Sequence, residues 1–139
     1  MIHTDTHILI RLLAGDVTLG GRLVDALSDA LARNDLAASA IVFTEVARLH
    51  LRGRVDLGMP PERWMQERVR DGLRVVPVTP EIAVRASMLE TTGFHGDPMD
   101  GLITATAMAG DHTLVTADGR IAEWADRTRL LTVLGPAGR

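Results

Sequence analysis

Short apolar segments alternate along this chain with helix-start signals, and that alternation limits its possible folds more than any other feature. "IHTD" at residues 2–5 reads as a brief strand ending in an acid. In the following "THILIRLLAG", Ile8, Leu9, Leu12 and Leu13 share one helical face and Gly15 ends the helix. A second helix over about 19–33 carries Leu19, Leu23, Leu27 and Leu31 at four-residue spacing. "LAASA" predicts a strand of small residues, and "IVFTEVARLHLRG" a helix closed by Gly53. After the loop "GRVDLGMPP", Pro60-Pro61 opens a helix containing Trp64, Met65 and Val69. The strand "LRVVPV" gives way to Thr79-Pro80-Glu81, a cap followed by proline. "DPMDGLITATA" begins a further helix, "HTLVTADG" is a strand ending in a turn, "RIAEWA" a short helix and "LLTV" a last strand. Strands alternating with helices predict an α/β fold with a parallel sheet covered on both faces. In such folds the functional groups lie beyond the carboxyl ends of the strands.

A chain of 139 residues is most simply one domain, spanning 1–139, and a chain near that size buries roughly 70% of its unfolded surface. No run of 18 or more apolar residues occurs and no basic-then-apolar leader precedes the first strand, so a soluble, cytoplasmic protein without membrane attachment is expected. The absence of cysteine excludes disulfides and thiolate chemistry. A formal net charge of −3 argues against a broad basic face for duplex nucleic acid. All 15 basic residues are arginine, which excludes any mechanism that needs lysine. Phe43, Trp64, Phe94 and Trp124 are too few for a base-stacking platform.

Four acids fall where such a sheet puts its chemistry. Asp5 ends the first strand and Asp118 follows "HTLVT", although either also suits a structural role, Asp5 as a helix cap and Asp118-Gly119 as a turn pair. Glu45 lies three or four positions from Ile41, Val42 and Leu49, close to the apolar face of its helix. A carboxylate there needs a cation, an arginine such as Arg48 or Arg52, or a raised pKa. In "DPMD", Asp97 as N-cap with Pro98 at the first helical position is in good order, whereas a cap explains Asp100 only weakly. The expectation is that Asp97 caps and Asp100 binds.

Two carboxylates ~4 Å apart repel by about 4 kcal/mol at an effective dielectric of 20, so several facing one pocket call for a divalent cation. Oxygen-only ligands favour Mg²⁺, with Mn²⁺ as a substitute. The histidines offer zinc as an alternative, but no helical HxxxH pair is present.

The ordered segments "DTHILIRLL", "SAIVFTEVARL", "GLRVVPVTPEIAVRA", "HGDPMDGLITATA" and "LVTADGRI" resemble PIN-domain proteins, and among them the VapC toxins of toxin–antitoxin pairs. The resemblance covers nearly the whole chain. It implies a five-stranded, mainly parallel sheet and a Mg²⁺-dependent endoribonuclease. It also implies an RNA substrate, a cognate small antitoxin protein and a homodimer. The family's acidic site carries over onto Asp5, Glu45, Asp100 and Asp118 as metal-holding, catalytic residues, with Thr116 and Asp97 supporting them. Two positions depart from the pattern: Gly101 stands where relatives commonly have arginine, and Arg11 where those with the "DTH" opening often have tryptophan.

Three other readings compete. A response-regulator-like phosphoacceptor also gathers acids at sheet ends, but needs the lysine this chain lacks. A catalytically silent RNA- or partner-binding module would keep the fold without turnover. A PIN nuclease of RNA processing would lack an antitoxin.

Overall fold

The computed structural model describes residues 1–110 and 112–136; of the single unit expected over 1–139, residues 111 and 137–139 lie outside the described residues. Strand β1 (Ile2–Thr4) leads into helix α1 (Thr6–Leu13), and a short 3-10 turn at Val17–Leu19 precedes α2 (Gly21–Ala32). Next come β2 (Leu36–Ser39), α3 (Ile41–Leu51), α4 (Pro61–Asp71), β3 (Arg74–Val76) and α5 (Pro80–Met88). A 3-10 turn at Leu89–Thr92 joins α5 to α6 (Pro98–Ala109), followed by β4 (Thr113–Val115), α7 (Gly119–Thr128) and β5 (Thr132–Leu134). The five strands form one sheet in the order β3-β2-β1-β4-β5, with every pairing parallel. The fold is the α/β, five-stranded PIN-like arrangement expected. None of the helices among the described residues is long and apolar enough to cross a membrane.

Of the central strands β2 is buried from end to end, and β1 and β4 after their first residues, as a sheet covered on both faces requires. Ile8, Leu9, Leu27, Leu36, Val42, Val46, Leu114 and Val115 make up its fully buried centre. The leucine stripe of the second helical region divides: Leu19 and Leu27 are buried, while Leu23 and Leu31 pack at the margin. Phe43 of α3 meets Trp64 of α4 edge-on, 6.2 Å between ring centroids, holding the two helices together, and Arg68, also of α4, covers the Trp64 ring at 5.1 Å.

Local signals explain the boundaries. Thr79 caps α5 by accepting from the Ile82 N–H, with Pro80 at its first position. Gly72 closes α4 at φ 112°, where a Cβ would collide with Asn34 at 2.2 Å, so glycine is required there. The strand in "HTLVTADG" is shorter than expected, ending at Val115, and the helix after it runs on to Thr128 rather than stopping near 125. Trp124 and Ala125 are both buried, and the extra turn, mostly exposed, is fastened back to them by the Thr128 hydroxyl, which donates to the Trp124 carbonyl at 2.9 Å.

Candidate active site

The acids are set by the ends of the strands and the beginnings of the helices. Register pairs His3 with Leu114 and Thr4 with Val115, so the next residues along, Asp5 and Thr116, face each other where β1 and β4 stop. Thr116 donates its hydroxyl to Asp5 Oδ2 at 2.6 Å, and the Asp5 N–H donates to the Val115 carbonyl at 3.2 Å. Asp5 also caps α1, its Oδ1 accepting from the Ile8 N–H at 2.8 Å. Thr116 in turn accepts from the Asp118 N–H at 3.1 Å, and Asp118 Oδ1 caps α7 through the Arg120 N–H at 2.9 Å. The structural roles of Asp5 and Asp118 are thus real, and they aim both carboxylates across the carboxyl end of the sheet. Helix N-termini also offset part of the cost of gathering negative charge.

Glu45 enters from α3. The arginine partners considered from the sequence are not the ones it takes: the Thr6 hydroxyl donates a short hydrogen bond to Glu45 Oε1, and His7 Nε2 lies 3.9 Å from Oε2. Thr6 is buried, so this bond fixes Glu45 from beneath. Thr6 and His7 were missed as site residues, because their link to Glu45 spans 39 positions and only the fold creates it. The nearest sequence signal was their place beside the capping Asp5.

Asp97 caps α6 as expected, accepting from the Asp100 N–H at 2.8 Å. Asp100 is not free of a capping role, however. Its Oδ2 accepts from the Asp97 N–H at 3.4 Å, completing a reciprocal capping box. That second bond is long, so it constrains the Asp100 carboxylate only loosely. Replacing Asp97 by alanine should lower stability by about 0.5–2 kcal/mol, less whatever repulsion of Asp100 it relieves. Urea unfolding in the absence of metal measures this, and an unchanged midpoint would show that the cap is not needed.

Electrostatics joins the four acids. Burial, then Asp97, then Glu45 and Asp118 push the Asp100 carboxyl up to about 6, against the opposing hydrogen bond from the Asp97 backbone. Asp5 is raised as well, chiefly by burial with Glu45 adding to it, while Thr116, the Ile8 N–H and His7 pull the other way. Among the described residues, no three acidic or imidazole side chains already stand together as a metal-holding group. The carboxylates face one another at electrostatic rather than contact range. All are oxygen donors, and their mutual repulsion is what a hard divalent cation would relieve. That donor set fits Mg²⁺ or Mn²⁺.

Of the two departures noted in the sequence, Arg11 turns away from this cluster. Its Nε pairs with Asp16 at 3.2 Å and its NH2 donates to Thr18 at 2.8 Å, fastening the end of α1 to the following turn. Gly101 is buried on α6, where a Cβ would lie 3.3 Å from the Ala86 carbonyl oxygen of α5.

A sheet of this order with acids at its carboxyl edge defines a class, and the PIN domain family model matches residues 2–127: the chain belongs to the PIN-domain family. Within that family it is similar to Ribonuclease VapC22 of Mycobacterium tuberculosis (strain ATCC 25618 / H37Rv), with 40% identity over 101 residues, 72% of this chain and 76% of that protein. Among solved structures it is similar to FitAB bound to an IR36 DNA fragment, with TM-score 0.70, 27% identity and coverage of 98% of this chain and 95% of that one. FitAcB from Neisseria gonorrhoeae is similar over 100% of both chains, with TM-score 0.64 and 26% identity. VapBC2 from Rickettsia felis, bound to a promoter DNA fragment, shares the fold at TM-score 0.65 and 20% identity, covering 97% of this chain and 98% of that one.

Proposed function

We propose that this chain is a divalent-metal-dependent endoribonuclease and the toxin of a toxin–antitoxin pair. The observation that carries the proposal is the placement of Asp5, Glu45, Asp100 and Asp118 at the carboxyl edge of the sheet, each held by its own hydrogen bonds, where burial, Asp97, Glu45 and Asp118 push the Asp100 carboxyl up. Similarity to a protein named a ribonuclease, at 40% identity, supports the reaction class. Asp5, Glu45, Asp100 and Asp118 would hold the ion, which when bound supplies Lewis-acid chemistry: a more acidic water and neutralisation of charge on the phosphodiester.

The protein's own contribution is orientation. Thr116 and the Ile8 N–H fix Asp5, and Thr6 fixes Glu45. Asp118 Oδ1 is occupied by the Arg120 N–H, which leaves Oδ2 to accept the proton of the attacking water. The partner proposed is a small antitoxin, in keeping with the toxin–antitoxin complexes of similar fold. An arginine or lysine from it would pair with the carboxylates and compete with the metal. An amphipathic segment would lie on apolar surface near the first helices, where a groove of about 680 Å³ includes Leu19, Leu23, Val133 and Leu134.

The test incubates the purified chain with single-stranded RNA and Mg²⁺, with and without EDTA, and maps the ends produced. Metal-dependent cleavage with defined ends is expected; no cleavage by folded protein overturns the nuclease reading. Coexpression with the product of the neighbouring gene tests the toxin reading separately. A chain harmless to growth that binds no such product is not a toxin. Metal binding should follow the acids: Asp5→Asn combined with Asp100→Asn should abolish tight Mn²⁺ binding in calorimetry while the fold persists, and unchanged affinity would rule out this ligand set.

A further inference from the structure

Because Glu45 turns to Thr6 and His7, it leaves two cations on its own helix without an acid. Arg48 and Arg52 are exposed, four residues apart at the end of α3, and among the described residues neither has a side-chain hydrogen bond or ion pair. Like charges at this spacing oppose each other. Their place at the helix C-terminus offsets some of that through the helix dipole. The same four-residue spacing puts both guanidinium groups on one face of the helix, bordering one cleft. That cleft, of about 400 Å³, runs from Glu45 to the start of α6, with Leu49, Pro98 and Met99 as its apolar part. It therefore joins three things: two acids of the candidate site, Glu45 and Asp97, an apolar wall, and two unpaired guanidinium groups.

We infer that Arg48 and Arg52 hold backbone phosphates of single-stranded RNA, one nucleotide resting in this cleft beside the acid cluster. The inference rests on the ribonuclease reading above and names the grip that reading lacks. Guanidinium forks match phosphate oxygens in geometry and charge, and this chain has no lysine to do so. A net charge of −3 and a cluster of carboxylates repel RNA at long range, so cations are needed next to the acids. The Leu49, Pro98 and Met99 wall accepts the face of a base or sugar without reading its identity, which makes this a subsite for grip rather than for sequence. Size agrees, since a cleft of about 400 Å³ lies within the range of small-ligand sites, about 300–1,000 Å³.

The test measures fluorescence anisotropy of a short labelled single-stranded RNA in EDTA, where hydrolysis plays no part, over a series of salt concentrations. Four proteins are compared: the unaltered chain, Arg48→Gln/Arg52→Gln, Arg48→Lys/Arg52→Lys, and a control, Arg33→Gln/Arg70→Gln. The control alters exposed arginines on helices that lead into β2 and β3, at the opposite edge of the sheet. The glutamine pair should weaken binding at least about tenfold and flatten the salt dependence by about 1.4, two phosphate contacts at about 0.7 each. The lysine pair should recover most of the affinity, and the control should match the unaltered chain. Equal affinity and salt slope in all four overturns the inference, even if Mg²⁺-dependent cleavage is intact. A glutamine pair that loses self-association with unchanged RNA binding also overturns it, assigning the cleft to a protein interface. Loss of cleavage in Mg²⁺ without loss of RNA binding does the same.

Discussion

Replacing Asp100 by asparagine is expected to reduce Mg²⁺-dependent RNA cleavage by roughly two to three orders of magnitude while making the metal-free protein more stable at pH 8. On the proposed metal-dependent reading, the first effect follows from losing one of the four anionic ligands proposed for the ion, since charge stabilisation of that kind is worth several kcal/mol and each ~1.4 kcal/mol is tenfold in rate. The second follows from the carboxyl raised to about 6 by burial, Asp97, Glu45 and Asp118. A carboxyl whose folded pKa exceeds its unfolded value of 3.8 binds its proton more tightly in the folded state. Its contribution to stability is therefore best at low pH, declines between about 4 and 6, and is a constant penalty above 6. Allowing for solvent at the rim of the site, that penalty is on the order of 1–2 kcal/mol. Asparagine removes it and keeps an oxygen for the capping box. Urea unfolding in EDTA at pH 4.5 and pH 8 checks the sign: the advantage of the variant should be small at the lower pH, about a third of its full size, and grow at the higher. A variant less stable at pH 8 than the unaltered protein would mean that Asp100 acts mainly as a cap. Adding Mg²⁺ should reverse the order, because only the complete acid set gains stability from bound ion.

The parts of this molecule that were legible in the sequence are those governed by neighbours along the chain. Asp97-Pro98, Thr79-Pro80 and the stop at Gly53 announce helix ends through bonds that span only a few residues. Alternation of strands and helices was enough for a parallel sheet. Its order was not readable, since strands of three or four residues carry no pairing information of their own. The same division holds at the site. Asp5 and Asp118 stand out as acids at strand ends, and Thr116 as a hydroxyl beside Asp118. That Thr116 bonds to Asp5, 111 positions away, depends on β1 lying next to β4. Glu45 was conspicuous because it lies near an apolar face, but helix spacing offered Arg48 and Arg52 as partners and could not offer Thr6 from another helix. Helix periodicity shows where a side chain leaves its own helix, not what waits there.

Gly101 gives the second large expectation: introducing the arginine that the family resemblance implies at this position should weaken this chain by roughly 2–4 kcal/mol rather than improve its grip on substrate. The sequence shows only that the guanidinium is missing. In the structure Gly101 is buried where α5 crosses α6, and even a methyl group would sit 3.3 Å from the Ala86 carbonyl oxygen. Ile82 of α5 and Ile103 of α6 are buried on the two helices that this close approach joins. An arginine would either place a charge in that seam or push α5 away and expose both residues. Glycine in a helix costs up to ~1 kcal/mol against alanine, so it is held here by the packing it permits and not by helix propensity. Gly101→Ala separates the two effects: better propensity and a tight but yielding contact should leave its stability within about 1 kcal/mol of the original. Gly101→Arg should also lose cleavage, because displacing the first turn of α6 moves the neighbouring Asp100 relative to Glu45 and Asp118. Urea midpoints and initial cleavage rates for the two variants provide the check. An arginine variant with the original midpoint and faster cleavage would show that the seam tolerates the side chain and that this chain merely lacks a substrate contact.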